Sequence, residues 1–353
     1  MPGKVLYSGF RWPHHDAQSG YHHAVADAKD YVDSGALWGG AAKIGSRRRK
    51  LNILLAELVT LARAWRYRAV FYVYPETCAL FFSAPLLKLM GKRVVYALHL
   101  GEKYWDRQGS LLFRLKRHNL RYVDHFVVLS SQHKQRLEVQ FPGKVSFIPH
   151  GVHLDPAAPP AAPATPPRVC VAGDNFRDYA MLRAIIERFA TRFPQIRFDL
   201  VGMQYAKLGD AAGATNVTCH PRLSAAEYGR VIREAAFMLL PLQFATANNA
   251  LLEALTLGVP VLCNRIDGVT DYLPDGDYLF DDIDQLCELV AARLTMTPAR
   301  RAAESAALIA YVDAHFAWPV VRRRIVDCCL HATGGHAAAA RTAATRPQPR
   351  RLP

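Results

Sequence analysis

Short apolar runs alternating with amphipathic stretches organise this chain from one end to the other. In the first half, Lys4–Phe10, Ala69–Tyr74, Arg93–His99, His125–Leu129 and Val145–Ile148 read as strands. Several are apolar at successive positions rather than every second one, the pattern of strands covered on both faces of a parallel sheet. Between them, Tyr21–Val32, Leu51–Trp65, Leu80–Met90, Arg107–Arg121 and Ser131–Gln140 read as helices. In Leu51–Trp65 the apolar positions 51, 54, 55, 58, 61, 62 and 65 follow a 3.6-residue period, so this stripe is expected to face the core. After the turn Pro149–Val152 and an Ala/Pro/Thr-rich stretch, Pro156–Pro167, the alternation restarts. Strands are expected at Val169–Ala172, Arg197–Val201, Val217–His220, Phe237–Leu240 and Val259–Cys263. Helices are expected at Tyr179–Arg192, Ala225–Glu234, Asn249–Leu257 and Ile283–Leu294. Strands alternating with helices in this way imply an α/β chain with two parallel sheets.

With 353 residues, the chain accommodates two domains of about 150 residues each. The expected division is 1–153, a linker at 154–168, 169–312, a returning helix at 313–333, and a basic tail at 334–353. The seven cysteines are scattered without a Cys-x-x-Cys pair, the usage of a reducing compartment, and no leader-like segment opens the chain. A cytoplasmic location is therefore expected. Charge is uneven: residues 1–155 hold 23 Lys and Arg against 11 Asp and Glu, a net of +12, and the remainder holds 21 against 19, a net of +2. A basic first half points to an anionic ligand or surface. No OB-fold or RNA-recognition pattern accompanies it, so nucleic acid is not an expected partner.

The most telling segment is Ala245–Leu273, ATANNALLEALTLGVPVLCNRIDGVTDYL. A loop of small residues enters a short apolar helix carrying one acid, Glu253. The helix stops at Gly258 before Pro260, and a buried strand follows. A helix N-terminus in such a loop favours an anionic phosphate. The segment resembles the donor-site signature of GT-B glycosyltransferases of the family 4 type, Glu-Gly-x-Gly-x4-Glu-Ala-x3-Gly-x-Pro-Val followed by a Gly-Gly or Gly-Val loop. The matching positions are Glu253, Ala254, Gly258, Pro260, Val261, Gly268 and Val269; where the family has its first glutamate, this chain has Ala245. His150-Gly151-Val152 resembles the element that ends the family's first domain, and Ala310–Val326 resembles its terminal crossover helix.

The resemblance implies a GT-B fold, two Rossmann-like domains facing each other across a cleft, with an acceptor-side domain first and a nucleotide-sugar domain second. It implies that Glu253 holds the ribose and that the backbone amides at Asn248, Asn249 and Ala250 receive the diphosphate. Arg177 in the loop Gly173–Tyr179 is a candidate phosphate clamp, the alternative being a surface arginine paired with Asp178. His99, at a strand end, is a candidate donor-sugar contact. Asp16 and Glu102, on loops expected at the crevice, are candidate bases if the reaction inverts configuration. Neither His14-His15 nor His22-His23 has a set of carboxylates or cysteines to complete a metal site, so no metal and no cofactor is expected, with a UDP- or GDP-sugar as substrate.

The expected function is transfer of that sugar to a saccharide or lipid-linked acceptor, with retention, in polysaccharide or glycoconjugate synthesis. Lys43–Lys50, KIGSRRRK, beside the Leu51–Trp65 helix suggests an anionic membrane surface as a further partner. The alternatives are an inverting GT-B enzyme such as a glucuronosyltransferase of exopolysaccharide synthesis, and a non-catalytic GT-B scaffold.

Overall fold

A parallel strand pair needs a crossover connection, so every strand of a parallel sheet ends on the same edge. Two such sheets make up this chain, whose computed structural model describes residues 4–11, 19–35, 47–78, 82–100, 111–154 and 163–331. The first contains β1 (Val5–Gly9), β2 (Tyr31–Asp33), β3 (Ala69–Val73), β4 (Arg93–Leu98), β5 (His125–Val128) and β6 (Val145–Phe147), in the spatial order β2-β1-β3-β4-β5-β6. The second contains β7 (Arg168–Ala172), β8 (Arg197–Val201), β9 (Val217–His220), β10 (Ala235–Leu240), β11 (Val261–Asn264) and β12 (Leu279–Phe280), in the order β12-β11-β10-β7-β8-β9. All ten pairings are parallel. Each sheet grows outward from its first strand, then reverses direction. The reversal leaves a crevice between β1 and β3 in one sheet and between β7 and β10 in the other.

Helices cover the first sheet unequally. On one face lie α1 (Arg47–Ala64), α3 (Ser83–Leu89) and α5 (Ser131–Gln140), which pack Ala56, Leu87 and Leu137 against Leu6, Tyr72, Tyr96 and Phe126; α2 (Pro75–Cys78) follows β3, and α4 (Leu111–Asn119) precedes β5 in the chain. In the second half come α6 (Tyr179–Arg192), α7 (Ala225–Glu234), α8 (Asn249–Thr256), α9 (Ile283–Leu294) and α10 (Pro298–Phe316). The last helix, α11 (Trp318–Leu330), returns to the first sheet and covers its other face, packing Trp318, Val321 and Ile325 on Tyr7, Phe71 and Val95. Burying each of these large side chains contributes on the order of 1.5–3 kcal/mol.

Four expectations need correction. Tyr21–Val32 is not a helix: it forms two 3-10 turns, Tyr21–Ala24 and Ala28–Asp30, and then β2. Val25 is extended between them, and the Asp27 carboxylate accepts from Lys29 N at 3.0 Å, a local turn that competes with helix. The returning helix is broken at Ala317, whose backbone is non-helical; Pro319 follows inside the first turn of α11. The strand expected from Val259 starts at Val261, because Val259 N closes α8 onto Ala254 O at 3.0 Å and Pro260 has no N–H to give. The Leu51–Trp65 stripe does not face the core. The buried residues of α1 are Asn52, Ile53, Ala56, Glu57, Thr60 and Ala64, while Leu51, Leu54, Leu58 and Trp65 are exposed. Polar partners inside set this rotation: Thr60 Oγ1 lies 3.0 Å from Ser8 Oγ, and the Glu57 carboxylate accepts from Phe82 N at 3.2 Å.

A few buried groups join the halves. Tyr272 donates its hydroxyl to Leu129 O and accepts from His150 N, both at 2.9 Å. Asp271 accepts from Ser131 N at 2.7 Å. His150 is wedged among Tyr21 and Trp318, and burial pushes its pKa down to about 4, so it is neutral near pH 7. Gly151 is required beneath Trp318, since a Cβ there would stand 2.4 Å from the indole. Replacing Tyr272 by Phe leaves a buried N–H and a buried C=O without this partner, at about 1–3 kcal/mol. Urea unfolding of Tyr272→Phe is expected to show a loss of that size; unchanged stability would remove this clasp from the account.

Candidate functional site

The crevice of the second sheet is built by the loops after β7 and β10, which are zipped together. Asp178 N donates to Pro241 O and Gln243 N to Phe176 O, both at 2.9 Å, around an antiparallel bridge between Arg177 and Leu242. Asn264, buried at the end of β11, completes the joint: its carboxamide accepts from Leu242 N and donates to Leu242 O, both at 2.8 Å. One side chain thus supplies the pair of bonds that a neighbouring strand would give. Nothing in the sequence marks it beyond a polar residue ending an apolar strand.

The loop then enters α8. Asn248 is the N-cap, and its side-chain oxygen accepts from Leu251 N at 3.2 Å. Asn249 and Ala250 open the helix, where amides have no carbonyl one turn earlier. Glu253 lies one turn further on, half-buried, and its carboxylate accepts from the Tyr228 hydroxyl of α7 at 3.2 Å. Burial raises the Glu253 pKa, and the Tyr228 hydroxyl acts in the opposite direction. Ala245 is buried just before the cap; a Cβ on Gly268, which has φ 80°, would meet Ala245 O at 2.2 Å. The loop after β11 therefore presses directly on the loop before α8, at the position that lacks the family's first glutamate.

Arg177 is neither on the surface nor paired with Asp178. It is buried, with Nε donating to Ala172 O at 2.9 Å, Nη2 also to Ala172 O, and Nη1 to Asn175 O at 3.2 Å. Burial lowers its pKa. Asp178 instead caps α6, accepting from Met181 N at 2.9 Å. Arg177 thus shapes the loop after β7 from within.

His99 follows β4 at the facing edge of the first sheet. Its Nδ1–H donates to Ala97 O at 2.9 Å, which puts the ring's acceptor on Nε2. The ring lies 4.1 Å from that of Tyr74 and 5.2 Å from that of Tyr21, centroid to centroid. Thr246, in the loop before α8, donates its hydroxyl to His99 O at 2.9 Å. The structure therefore brings His99 against the segment that holds Asn248, Asn249 and Ala250. Asp16, Glu102, His14 and His15 lie outside the described residues. Among the described residues, no three or more of His, Cys, Asp and Glu are grouped to hold a metal ion.

Sequence reasoning missed three further features. Glu76, in the short α2, is buried and accepts from His99 N at 2.6 Å and Leu100 N at 2.9 Å. Tyr74 and Phe176, after β3 and β7, are the only non-glycine residues with positive φ among those described, at 59° and 57°. Such strain costs on the order of 1–3 kcal/mol, and here it sits beside both switch-point crevices. Phe176 and Phe244 form an exposed edge-on pair, centroids 5.2 Å apart. A lone acid in Pro75-Glu76 was the one available signal.

Comparison with known proteins agrees with this geometry. Residues 26–156 match the family model described as Glycosyltransferase Family 4, and residues 177–326 match that described as Glycosyl transferase-like. HepE of Anabaena, solved with UDP, superposes with a TM-score of 0.67 at 13% identity, covering 92% of this chain and 98% of that one. The lipopolysaccharide outer core galactosyltransferase WaaB gives 0.63 at 13% identity, with the same two coverages. TarM of S. aureus, solved with fondaparinux, α-GlcNAc-glycerol and UDP, gives 0.61 at 12% identity; 79% of this chain is covered, and it spans 59% of TarM. At these identities the superpositions carry the fold alone. No curated protein matches the chain by sequence. With a family model over each half and two parallel sheets arranged as described, the chain belongs to the group 1 glycosyltransferases of the GT-B fold.

Burial pushes the Glu76 carboxyl up to about 7 from its ordinary 4.5, although the two amides and Lys116 act in the opposite direction. Folding thus favours the protonated acid: its contribution is complete below about pH 4.5 and is lost as pH rises to about 7. Across that window this group is expected to remove about 3 kcal/mol of stability. Glu76→Gln, which keeps an oxygen for both amides, should flatten that slope in urea unfolding at a series of pH values. An unchanged slope would contradict the assignment.

Proposed function

We propose that the chain transfers a sugar from a nucleoside-diphosphate sugar, with uridine or guanosine as the nucleoside, to a hydroxyl of a saccharide carried by a lipid. The observation that carries this reading is the N-terminus of α8, capped by Asn248 and aimed from the switch-point loop, with Glu253 one turn behind it. Such an N-terminus stabilises the charge that develops on a departing diphosphate, so the proposal needs neither a metal nor a cofactor. The Glu253 carboxylate accepts from ribose hydroxyls, oriented by Tyr228, and the UDP bound in HepE supports a nucleotide in a fold of this kind. Arg177 contributes by holding the loop at Gly173 and Ala172, where a backbone must approach the phosphates closely.

In the transfer, the bond from the anomeric carbon to the diphosphate oxygen breaks and the acceptor oxygen takes its place, its proton passing to the departing diphosphate or, on inversion, to a carboxylate base. We favour retention, in which the acceptor enters on the face the diphosphate leaves and His99 contacts the donor sugar. The absence of the first signature glutamate at Ala245 favours inversion as the second reading, with Asp16 or Glu102 as base. The enzyme would work in polysaccharide or glycoconjugate assembly, at the cytoplasmic face of an anionic membrane. No helix among the described residues is long and apolar enough to cross that membrane.

Calorimetric titration with UDP and GDP is expected to show binding to one of them, weakened about tenfold or more in Glu253→Ala, as for loss of charge-assisted hydrogen bonds. NMR of the product anomer then decides retention against inversion. A native protein that binds neither nucleotide would overturn the reading.

A further inference from the structure

The rotation of α1 gives the first domain an outer face that is both apolar and basic. Leu51, Leu54, Leu58 and Trp65 recur at helical spacing on one side of α1 and are exposed, by 51%, 37%, 50% and 63%. The neighbouring α3 adds Leu86, Leu89 and Met90, with Leu89 84% exposed, and α4 adds Leu115. Ala56 of α1 and Leu87 of α3 enter one core layer on the same face of the first sheet, together with Leu120 of the 3-10 turn that directly follows α4. Isolated exposed leucines are ordinary, but a stripe continued across neighbouring helices marks an interaction surface.

Basic side chains predominate in its described helices. The sequences of α1, α3 and α4 contain a single acid, Glu57, which is buried against Phe82 N. Their basic residues include Arg48, Lys88, Arg114 and Arg117, all exposed, and Arg66, just beyond α1, lies 4.7 Å over the Trp65 ring. Lys88 is partly neutralised by Asp124, at 2.6 Å. A second copy of the same face would set arginine against arginine; the phosphates of an anionic bilayer complement them, and its acyl region receives the leucines. The direction of α1 also fits. Arg68 N donates to Lys4 O at the start of β1, so the helix ends beside the strand starts and begins at Arg47 near the strand ends, where the cleft lies.

We propose that the α1–α3–α4 face of the first domain docks on an anionic lipid bilayer, with the leucines of α1 and α3 entering the headgroup region. The inference deepens the proposed function by giving its lipid-borne acceptor a surface of approach, and rests on that reading for its purpose alone.

The test is co-sedimentation of the full chain with vesicles of phosphatidylcholine, alone or mixed in equal parts with phosphatidylglycerol. Binding is expected to the mixed vesicles and not to the neutral ones, and to fall with added salt. Leu51→Ser with Leu58→Ser and Leu89→Ser should weaken it at least tenfold, and Arg114→Glu or Arg117→Glu by roughly fivefold or more each. Thermal melts and UDP titration are expected to be unchanged in these surface variants, which separates failure of this inference from failure of the enzymatic reading. Equal binding to both vesicles, binding to neither, or a stable dimer in sedimentation equilibrium that Leu58→Ser dissociates would each overturn the proposal.

Discussion

The hydroxyl of Tyr272 is the interaction on which the geometry of the whole molecule rests. It is fully buried, donates to a carbonyl at the end of β5 and accepts an amide at the end of the first domain, so one oxygen fixes two strand ends of one half against the other. A group of this kind must be satisfied in the folded state, because a buried N–H or C=O without a partner costs more than an average hydrogen bond contributes. Around it, His150, Trp318 and Tyr21 fill the joint, and the close approach of Gly151 to the indole allows α11 to cross back.

With that joint in place, the two sheets present their strand ends to one another and the chemistry-bearing loops meet without further instruction. Thr246 touching His99 is the direct sign of this meeting. The loops themselves are held from behind. Arg177 binds carbonyls of its own turn, Asn264 stands in for a strand beside Leu242, and Glu76 binds the amides of His99 and Leu100. Each is a buried polar group whose partners are backbone, a usual way for a fold to fix its loops. The positive φ angles of Tyr74 and Phe176 sit among these supports, where the surroundings can hold them.

Much of this was legible in the residues. The continuous apolar runs of β3, β4, β7 and β10 announced buried parallel strands, and the Ala245–Leu273 segment carried both the turn chemistry of Gly258 and the acid of Glu253. What stayed hidden has physical causes. Periodicity reports that a helix has an apolar side but not which side the fold uses. In α1 the hydroxyl of Thr60 and the carboxylate of Glu57 found partners inside, and the leucines were turned outward. Arg177, Asn264 and Glu76 were misread or missed because their partners are backbone atoms far away in sequence or folded back locally. Tyr21–Val32 failed as a helix because Asp27 offers the backbone a competing local bond.

The central claim is that the loop from Pro241 to Asn248 and the start of α8 form the nucleotide site of a two-domain transferase. Amide hydrogen exchange with and without UDP tests it most directly. Protection is expected to concentrate in peptides spanning Pro241–Glu253, with a smaller effect in Gly173–Tyr179 and none around β2. Protection confined to the first domain away from His99, or no protection at saturating nucleotide, would contradict it.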